Sequence, residues 1–397
     1  MSCVETLAAF EGVVGYVPET DCGVTPDIVP GTEYNDVLGT KYLFAFAPVV
    51  ESIEPEFNTN QIKKRGIGNR THVCNQHGRY ETTISYSFYP TDFAFVPYAL
   101  GSATATTDHL PSMSIERAWK RTTPNPFEHR ELFNGVKVNT WTVEASIDDH
   151  VKFSGDMMAL YMQPGTSKSY VGHQTVDVGA DPIKSTDACD MFHFFEGDIY
   201  VTREVADEVH TGDTGTALSA TTFIPINWTL TETDPLDTQI TDVTVTVDGV
   251  ADTIVSVVGS VITITTSLAG TETVLVSYHY REQLTNVSDY SFEVDNGLRA
   301  NTGLTDGLPI PYEIVKTMND ISGSFTTNFQ DLKQYNQNLN DEYFHLYIEV
   351  GGAKLFVHKM AKWEPNVVPP MAEDDLVEES LDWTSQDLLV KDTPVGW

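Results

Sequence analysis

Positive charge is scarce in this chain: 23 Lys and Arg stand against 57 Asp and Glu, and no lysine occurs between Lys184 and Lys316. A net charge of −34 repels phosphate backbones, which argues against a role in gripping nucleic acid. The acidity is spread over an ordinary globular composition. At high ionic strength, where the screening length falls to ~3 Å, such like charges stop repelling one another, so the balance points to a salty habitat. Cysteine is scarce too. Cys3, Cys22, Cys74 and Cys189 lie far apart without a CxxC spacing, so free or buried thiols are expected rather than a disulfide framework. No apolar run approaches the ~20 residues of a membrane helix: residues 42–47 stop at Pro48, and residues 254–258 are broken by Ser256. The opening MSCVETLAAFEG has no basic segment and carries Glu5 and Glu11, unlike a secretory signal, so synthesis and retention in a cytoplasm are expected.

Catalytic signatures are missing as well. There is no phosphate-binding glycine loop, no GxSxG and no HExxH, and the expectation is a protein that is not an enzyme. His72, Cys74 and His77 in THVCNQH fall short of the four ligands of a closed zinc site, and Glu373, Asp374 and Asp375 read as a solvated cluster. No metal or cofactor is expected.

Period-2 alternation dominates what is present. Ile84, Tyr86 and Phe88 alternate with serines, as do Phe344, Leu346, Ile348 and Val350 with more polar neighbours. Val243, Val245 and Val247 follow the same rhythm, and so do Val274, Val276, Tyr278 and Tyr280. This is the pattern of antiparallel strands with one wet face. In VKVNTWTVEASI the parity changes at Thr140–Trp141, from Val136 and Val138 to Trp141, Val143, Ala145 and Ile147, which predicts a bulge.

The chain also repeats itself. ISYSF (84–88) matches ISGSF (321–325), Tyr98 matches Tyr335, SIER (114–117) matches YIEV (347–350), and KVNTW (137–141) matches KMAKW (359–363). One short helix is predicted after each first strand. In the second copy Phe329, Leu332, Asn336 and Leu339 fall on one side at helical spacing. The matched tryptophans, Trp141 and Trp363, read as core. Residues 205–284 differ: Thr/Val-rich strands with DG, GS and AG turns carry eleven acidic residues against Arg281 alone. Strands at that spacing predict a small β-sandwich, immunoglobulin-like and exposed on the outside. The expected organisation is a first β unit over 1–204, the inserted module over 205–284 and a second unit over 285–397.

One basic patch interrupts the acidic background: Lys63, Lys64, Arg65 and Arg70 in QIKKRGIGNR. It reads as a hairpin tip, as a nucleic-acid contact lacking the usual aromatics, or, the reading preferred, as a loop docking on the acidic face of another copy.

GYVPETDCGVTP (15–26), RYETTISYSFYP, LPSMSIERAW, FNGVKVNTWTVEASIDDHVKFSGDMMA and DISGSFTTNFQDLKQYNQNLN together resemble, in order and pattern, the tail tube proteins of long-tailed viruses. The resemblance covers most of the chain outside 205–284. With the acidity, it implies a virus of a halophilic archaeon. It implies two tandem tail-tube-type β-sandwich or barrel units, a subunit that joins its sheets with those of sister copies into rings, and rings stacked into a hollow tube. Two units per chain imply three chains per ring with pseudo-sixfold symmetry. The tape measure protein and other tail proteins would be partners. Viral DNA would pass through the lumen without specific binding, and the protein would assemble in the host cytoplasm and reside in the virion tail. On this reading Gly15, Tyr16, Glu19, Gly23 and Pro26 belong to an extended N-terminal arm running along a neighbour instead of packing a core of its own. A different tail ring component, terminator or distal tail, and a β-sandwich adhesin or carbohydrate-binding protein remain as alternatives.

Overall fold

The computed structural model of the chain describes residues 12–24, 34–35, 41–42, 49–58, 62–64, 74–76, 80–121, 127–147, 149–164, 191–211, 222–225, 244–252, 254–258, 261–264, 273–301, 311–328, 333–364 and 378–392. Among them the protein is mainly β, as the alternation predicts, with two short helices. The first half contains β1 (Gly12–Pro18), β2 (Tyr34–Asn35), β3 (Lys41–Tyr42), β4 (Val49–Asn58), β5 (Ile62–Lys64), β6 (Cys74–Gln76), β7 (Glu81–Tyr89), α1 (Val96–Leu100), β8 (Met113–Arg121), β9 (Phe127–Ser146), β10 (Lys152–Ala159) and β11 (Tyr161–Pro164). β12 (Ile199–Thr211) and β18 (Thr273–Gln283) flank β13 (Thr222–Pro225), β14 (Thr244–Val247), β15 (Val250–Ala251), β16 (Ile254–Val258) and β17 (Val261–Ile264). The remainder is β19 (Val287–Asp295), β20 (Leu298–Asn301), β21 (Glu313–Lys316), β22 (Asp320–Asn328), α2 (Lys333–Leu339), β23 (Phe344–Val350), β24 (Lys354–Trp363), β25 (Glu378–Ser385) and β26 (Asp387–Asp392).

The strand pairings occur twice. In the first set β1 pairs with β8, β8 with β9, β9 with β11 and β10, β10 with β7, and β7 with β4. In the second, β12 pairs with β23, β23 with β24, β24 with β26 and β25, β25 with β22, and β22 with β19. Trp141 lies opposite Gly155 in the first set, and Trp363 lies opposite Trp383 in the second, so the register matches the sequence repeat. The two sets share one hydrophobic core. Trp141 meets Phe153 and Phe292 edge-on, at 5.2 and 5.7 Å between ring centroids, and Phe292 lies 5.3 Å from Phe356.

Between the copies the partners in one cross-strand pair are exchanged. Tyr86 of β7 faces Gly155 of β10, whereas Gly323 of β22 faces Trp383 of β25. Each pair holds one large ring beside one residue without a side chain. A Cβ on Gly323 would stand 2.3 Å from Cζ2 of Trp383 and 2.6 Å from the Ser291 carbonyl oxygen on the neighbouring strand. Neither neighbour can yield cheaply, because one is a fully buried ring and the other is backbone. Gly323→Ala is expected to cost about 2–3 kcal/mol, read as a lower urea midpoint. Adding Trp383→Ala should recover the strain but leave a cavity; a single variant as stable as wild type would show that the close contact is not felt.

The predicted alternations correspond to buried rows: Ile84, Tyr86 and Phe88; Phe344, Leu346, Ile348 and Val350; and Val274, Val276, Tyr278 and Tyr280 all lie inside. Val245 is buried as well, while Val243 lies outside the described residues. The bulge in β9 falls at Asn139: Asp156 faces Thr140 and Met157 faces Val138, so Asn139 is the extra residue. Its carbonyl accepts the Asn296 amide at 2.8 Å and its side-chain oxygen accepts the Leu298 amide at 2.7 Å, which holds the kink. Ile147, predicted to follow Ala145 inward, is exposed, because the strand ends at Ser146.

The predicted helical face of the second copy is corrected. Phe329 and Leu332 lie outside the described residues, and Asn336 and Leu339 are exposed. Gln337 is the residue α2 buries, because its amide oxygen accepts the indole N–H of Trp363 at 3.1 Å and its nitrogen donates to the Thr202 carbonyl at 3.4 Å. A polar side chain with both ends satisfied can replace an apolar one inside. Trp363 itself is buried, as is Trp141.

In the region of residues 205–284, β12 and β18 form a long antiparallel pair from Tyr200–Gln283 to Thr211–Thr273. β14 extends that sheet and forms a hairpin with β15, while β13, β17 and β16 make a separate three-stranded sheet.

Candidate functional site

Among the described residues no group of His, Cys, Asp or Glu is placed to hold a metal, and no helix is long and apolar enough to cross a membrane. Of the candidate ligands in THVCNQH only Cys74 is described, in β6; His72, His77 and the Glu373–Asp375 cluster lie outside the described residues. The features that stand out are a sheet continuous across both repeats, its two ends, and its wet face.

The junction between the repeats is a strand pairing. β9, 20 residues long, serves two sheets: its first part pairs with β8 and β11, and its last part has β10 on one side and β19 on the other. The β9–β19 register runs from Ser146–Asp289 to Thr140–Asp295. The resulting sheet orders β4, β7, β10, β9, β19, β22, β25 and β24, and both its end strands belong to this one chain. Among the described residues β4, the counterpart of β19, pairs only with β7. Side chains add to the junction: the Asn296 amide donates to the carbonyls of Ala99 (2.9 Å) and Val138 (3.1 Å).

One face of this sheet is core and the other is polar along its whole width. Across the strands one row reads Ser52, Ser87, Ser154, Thr142, Glu293, Ser322, Thr384 and Lys362. The next reads Glu54, Ser85, Asp156, Thr140, Asp295 and Asp320, and a third Lys152, Glu144, Ser291, Ser324 and Asp382. Short hydroxyls tie the carboxylates down: Ser85 donates to Asp156 at 2.6 Å, Thr142 to Glu293 at 3.1 Å and Thr326 to Asp289 at 3.0 Å. Lys152 is held between Glu51 (3.1 Å) and Glu144 (3.2 Å), which leaves its charge balanced, and Lys362 pairs with Asp341 at 2.6 Å. Donating hydrogen bonds to Glu51 and Glu144 raises the pKa of Lys152, against the opposing effect of burial. The result is a wall of small polar and acidic groups with its few cations already paired.

The residues singled out in the sequence fall in two places. Lys63 and Lys64 lie on β5, which forms a small hairpin with β6, and Lys63 is exposed; Arg65 and Arg70 lie outside the described residues. Gly15 and Tyr16 lie within β1, and this corrects the expectation of a coreless arm. Tyr16 and Val17 are buried, and the Tyr16 ring meets Tyr98 of α1 edge-on at 5.6 Å. Glu19 is buried directly after β1, where its carboxylate accepts the hydroxyl of Ser114 at 2.6 Å and the backbone amides of Gly135 at 2.9 Å and Gly23 at 2.7 Å. Gly23, at φ 82°, provides the left-handed turn that brings its amide back to Glu19. Pro26 lies outside the described residues. The turn-formers therefore fold a strand end onto its own chain. Sequence reasoning missed this because two of the three donors lie 95 and 116 residues away.

No curated protein matches the chain. A family profile described as phage tail tube protein matches residues 9–385, which spans both repeats and the region between them. With a match over nearly its whole length and a β architecture whose sheet runs through both halves, the chain belongs to the phage tail tube protein family, the structural proteins of the virion tail.

Proposed function

We propose that three copies of this chain close into a ring with pseudo-sixfold symmetry, that rings stack into the tail tube of a long-tailed virus, and that viral DNA passes through the lumen. The observation that carries this reading is the β9–β19 junction: the chain already joins two copies of one unit edge to edge, and β4 offers the next join. Repetition of a heterologous contact that closes yields a ring and removes the sheet edges. The polar face of the continuous sheet suits the lumen wall. Its carboxylates and hydroxyls offer phosphates almost no cation to hold, so DNA slides without a sequence of contacts to break.

On this reading the tape measure protein and other tail proteins are partners, assembly takes place in the host cytoplasm, and the net charge of −34 fits a virus of a halophilic archaeon. We assign residues 1–204 to the first tube unit and 285–397 to the second, except that the start of β12 goes with the second, since Ile199–Val201 pair with β23, and residues 205–284 to an immunoglobulin-like module on the outside of the tube. On this reading the loop that carries Lys63, Lys64, Arg65 and Arg70 docks on the acidic face of a neighbouring copy. Electron microscopy of the concentrated protein at high salt tests the proposal. Long hollow cylinders whose rings average with threefold symmetry are expected. A monomer at every salt and protein concentration, or single rings that never stack, would overturn it.

A further inference from the structure

The internal junction fixes more than the existence of a ring contact. Because the pairings recur, each strand of the first repeat has a residue-by-residue counterpart in the second. On β4 and β19, Glu54 corresponds to Glu293, Pro55 to Val294 and Glu56 to Asp295, since Glu54 faces Ser85 where Glu293 faces Ser322. On β9 and β24, Thr140 corresponds to Lys362 and Trp141 to Trp363. Inside the chain Asp295 lies opposite Thr140, Val294 opposite Trp141 and Glu293 opposite Thr142.

We infer that β4 of one copy lies antiparallel beside the end of β24 of the next in this same register, with Glu56 opposite Lys362, Pro55 opposite Trp363 and Glu54 opposite Glu364. The inference rests on the ring reading above and adds to it the register of the contact.

Exposure differs between the two repeats as this register demands. Val138 and Asn296, which meet at the internal junction, are both 0% exposed, whereas their counterparts at the chain's open ends, Met360 and Phe57, are 40% and 47% exposed. Val294 is likewise fully buried, while its counterpart Pro55 is only half-buried. Large apolar side chains thus stand in water on both ends of the sheet, at the positions the other repeat covers. In the inferred register Phe57 falls beside Met360 and Ala361, so each end covers the other.

A second internal contact has the same form. After α1, Ala105 bridges to Leu389 of β26, with the Val390 amide donating to the Thr104 carbonyl at 2.8 Å. The counterpart of Leu389 is Tyr161 of β11, and the segment between α2 and β23, with the exposed Tyr343, stands where Ala105 stands in the first repeat. The charges across the seam are mixed. Glu56 and Lys362 attract, but Glu54 and Glu364 stand opposite one another, so closure is favoured where salt screens the like pair.

Cross-linking tests the register. Glu56→Cys chains mixed with Lys362→Cys chains should give a covalent pair with a short bis-methanethiosulfonate reagent, each thiolate displacing one sulfinate, because directly opposite Cβ atoms lie ~5 Å apart. The double variant should give a ladder that ends at three chains. Each single variant alone should show no product above wild type, and the shifted combination Glu54→Cys with Lys362→Cys should yield less than a tenth as much. Tubes seen by microscopy in reducing buffer report that the variants assemble. If tubes form but the Glu56/Lys362 pair fails to link, or the shifted pair links better, the register is wrong while the ring reading stands. If wild-type chains form no rings, both fall. Should the cysteine variants not assemble, charge reversal decides: Glu56→Lys and Lys362→Glu should each reduce assembly several-fold and the double reversal restore it. Absence of that rescue would overturn the register.

Discussion

Glu19→Ala is expected to lose about 3–5 kcal/mol of stability and to free the end of β1 from the first repeat. Hydrogen bonds to a carboxylate contribute ~1.5–3 kcal/mol each, and Glu19 accepts three. The net loss is smaller than the sum of the bonds, since burying the carboxylate itself costs desolvation that the variant avoids, but two donors, the Ser114 hydroxyl and the Gly135 amide, stay buried without their acceptor. Gly135 has no freedom to turn away. Its φ is 63°, and a Cβ there would stand 2.5 Å from Leu160 Cδ1, so its backbone is fixed by packing. Glu19→Gln retains the oxygen facing Ser114 and Gly135 and loses only the acceptor for Gly23, so it should cost ~1–2 kcal/mol. Urea unfolding of both variants separates the cases. If Ala and Gln differ by less than about 0.5 kcal/mol, the network is ornamental and β1 is held by its strand pairing with β8 alone.

Such a network shows where sequence reading reaches its limit in this protein. The alternation of Phe344, Leu346, Ile348 and Val350 was legible because burial on one face of a strand is a local, periodic demand. The duplication was legible because Trp141 and Trp363 fill equivalent places and keep their spacing from the preceding lysines. The bulge was legible to within one or two residues, since a parity change needs an extra residue somewhere. What escaped depends on partners far along the chain. The glycines and prolines of GYVPETDCGVTP read as turn-formers of a coreless arm until β8 and α1 are placed against β1. Gln337 reads as solvent-facing until Trp363 and Thr202 supply both ends of its amide. The open ends of the sheet were invisible for the same reason: an edge is defined by which strand fails to arrive. Only with the pairings in hand does the sequence repeat become a template, pointing from β9–β19 to β4 and β24.

The same template singles out His358. Its counterpart in the first repeat is Val136, since each lies opposite the matching residue of β8 or β23, Met113 or Leu346. A histidine in a valine's place is fully buried, with both ring nitrogens lacking a hydrogen-bond partner, between Phe292 at 4.9 Å and Trp383 at 4.4 Å. Burial lowers its pKa to about 3, against 6.5 for the exposed group. Because the folded pKa is depressed, the unfolded chain binds the proton first as pH falls. Nothing is lost above pH 6.5, and below it folding weakens by about 1.4 kcal/mol per pH unit until the folded ring itself protonates near pH 3. The full loss is therefore about 5 kcal/mol. The chain's carboxylates also titrate in acid, so the comparison must be with a variant that differs in this one proton. His358→Leu fits that need. It should gain about 1 kcal/mol at pH 7.5 by removing an unsatisfied N–H, and its advantage over wild type should widen by about 1.4 kcal/mol for each unit below pH 6.5. Chemical denaturation of both proteins at pH 7.5, 5.5 and 4.5 measures the widening. A difference constant across the three values would mean that His358 takes up its proton as readily folded as unfolded, which a ring held dry between Phe292 and Trp383 cannot do.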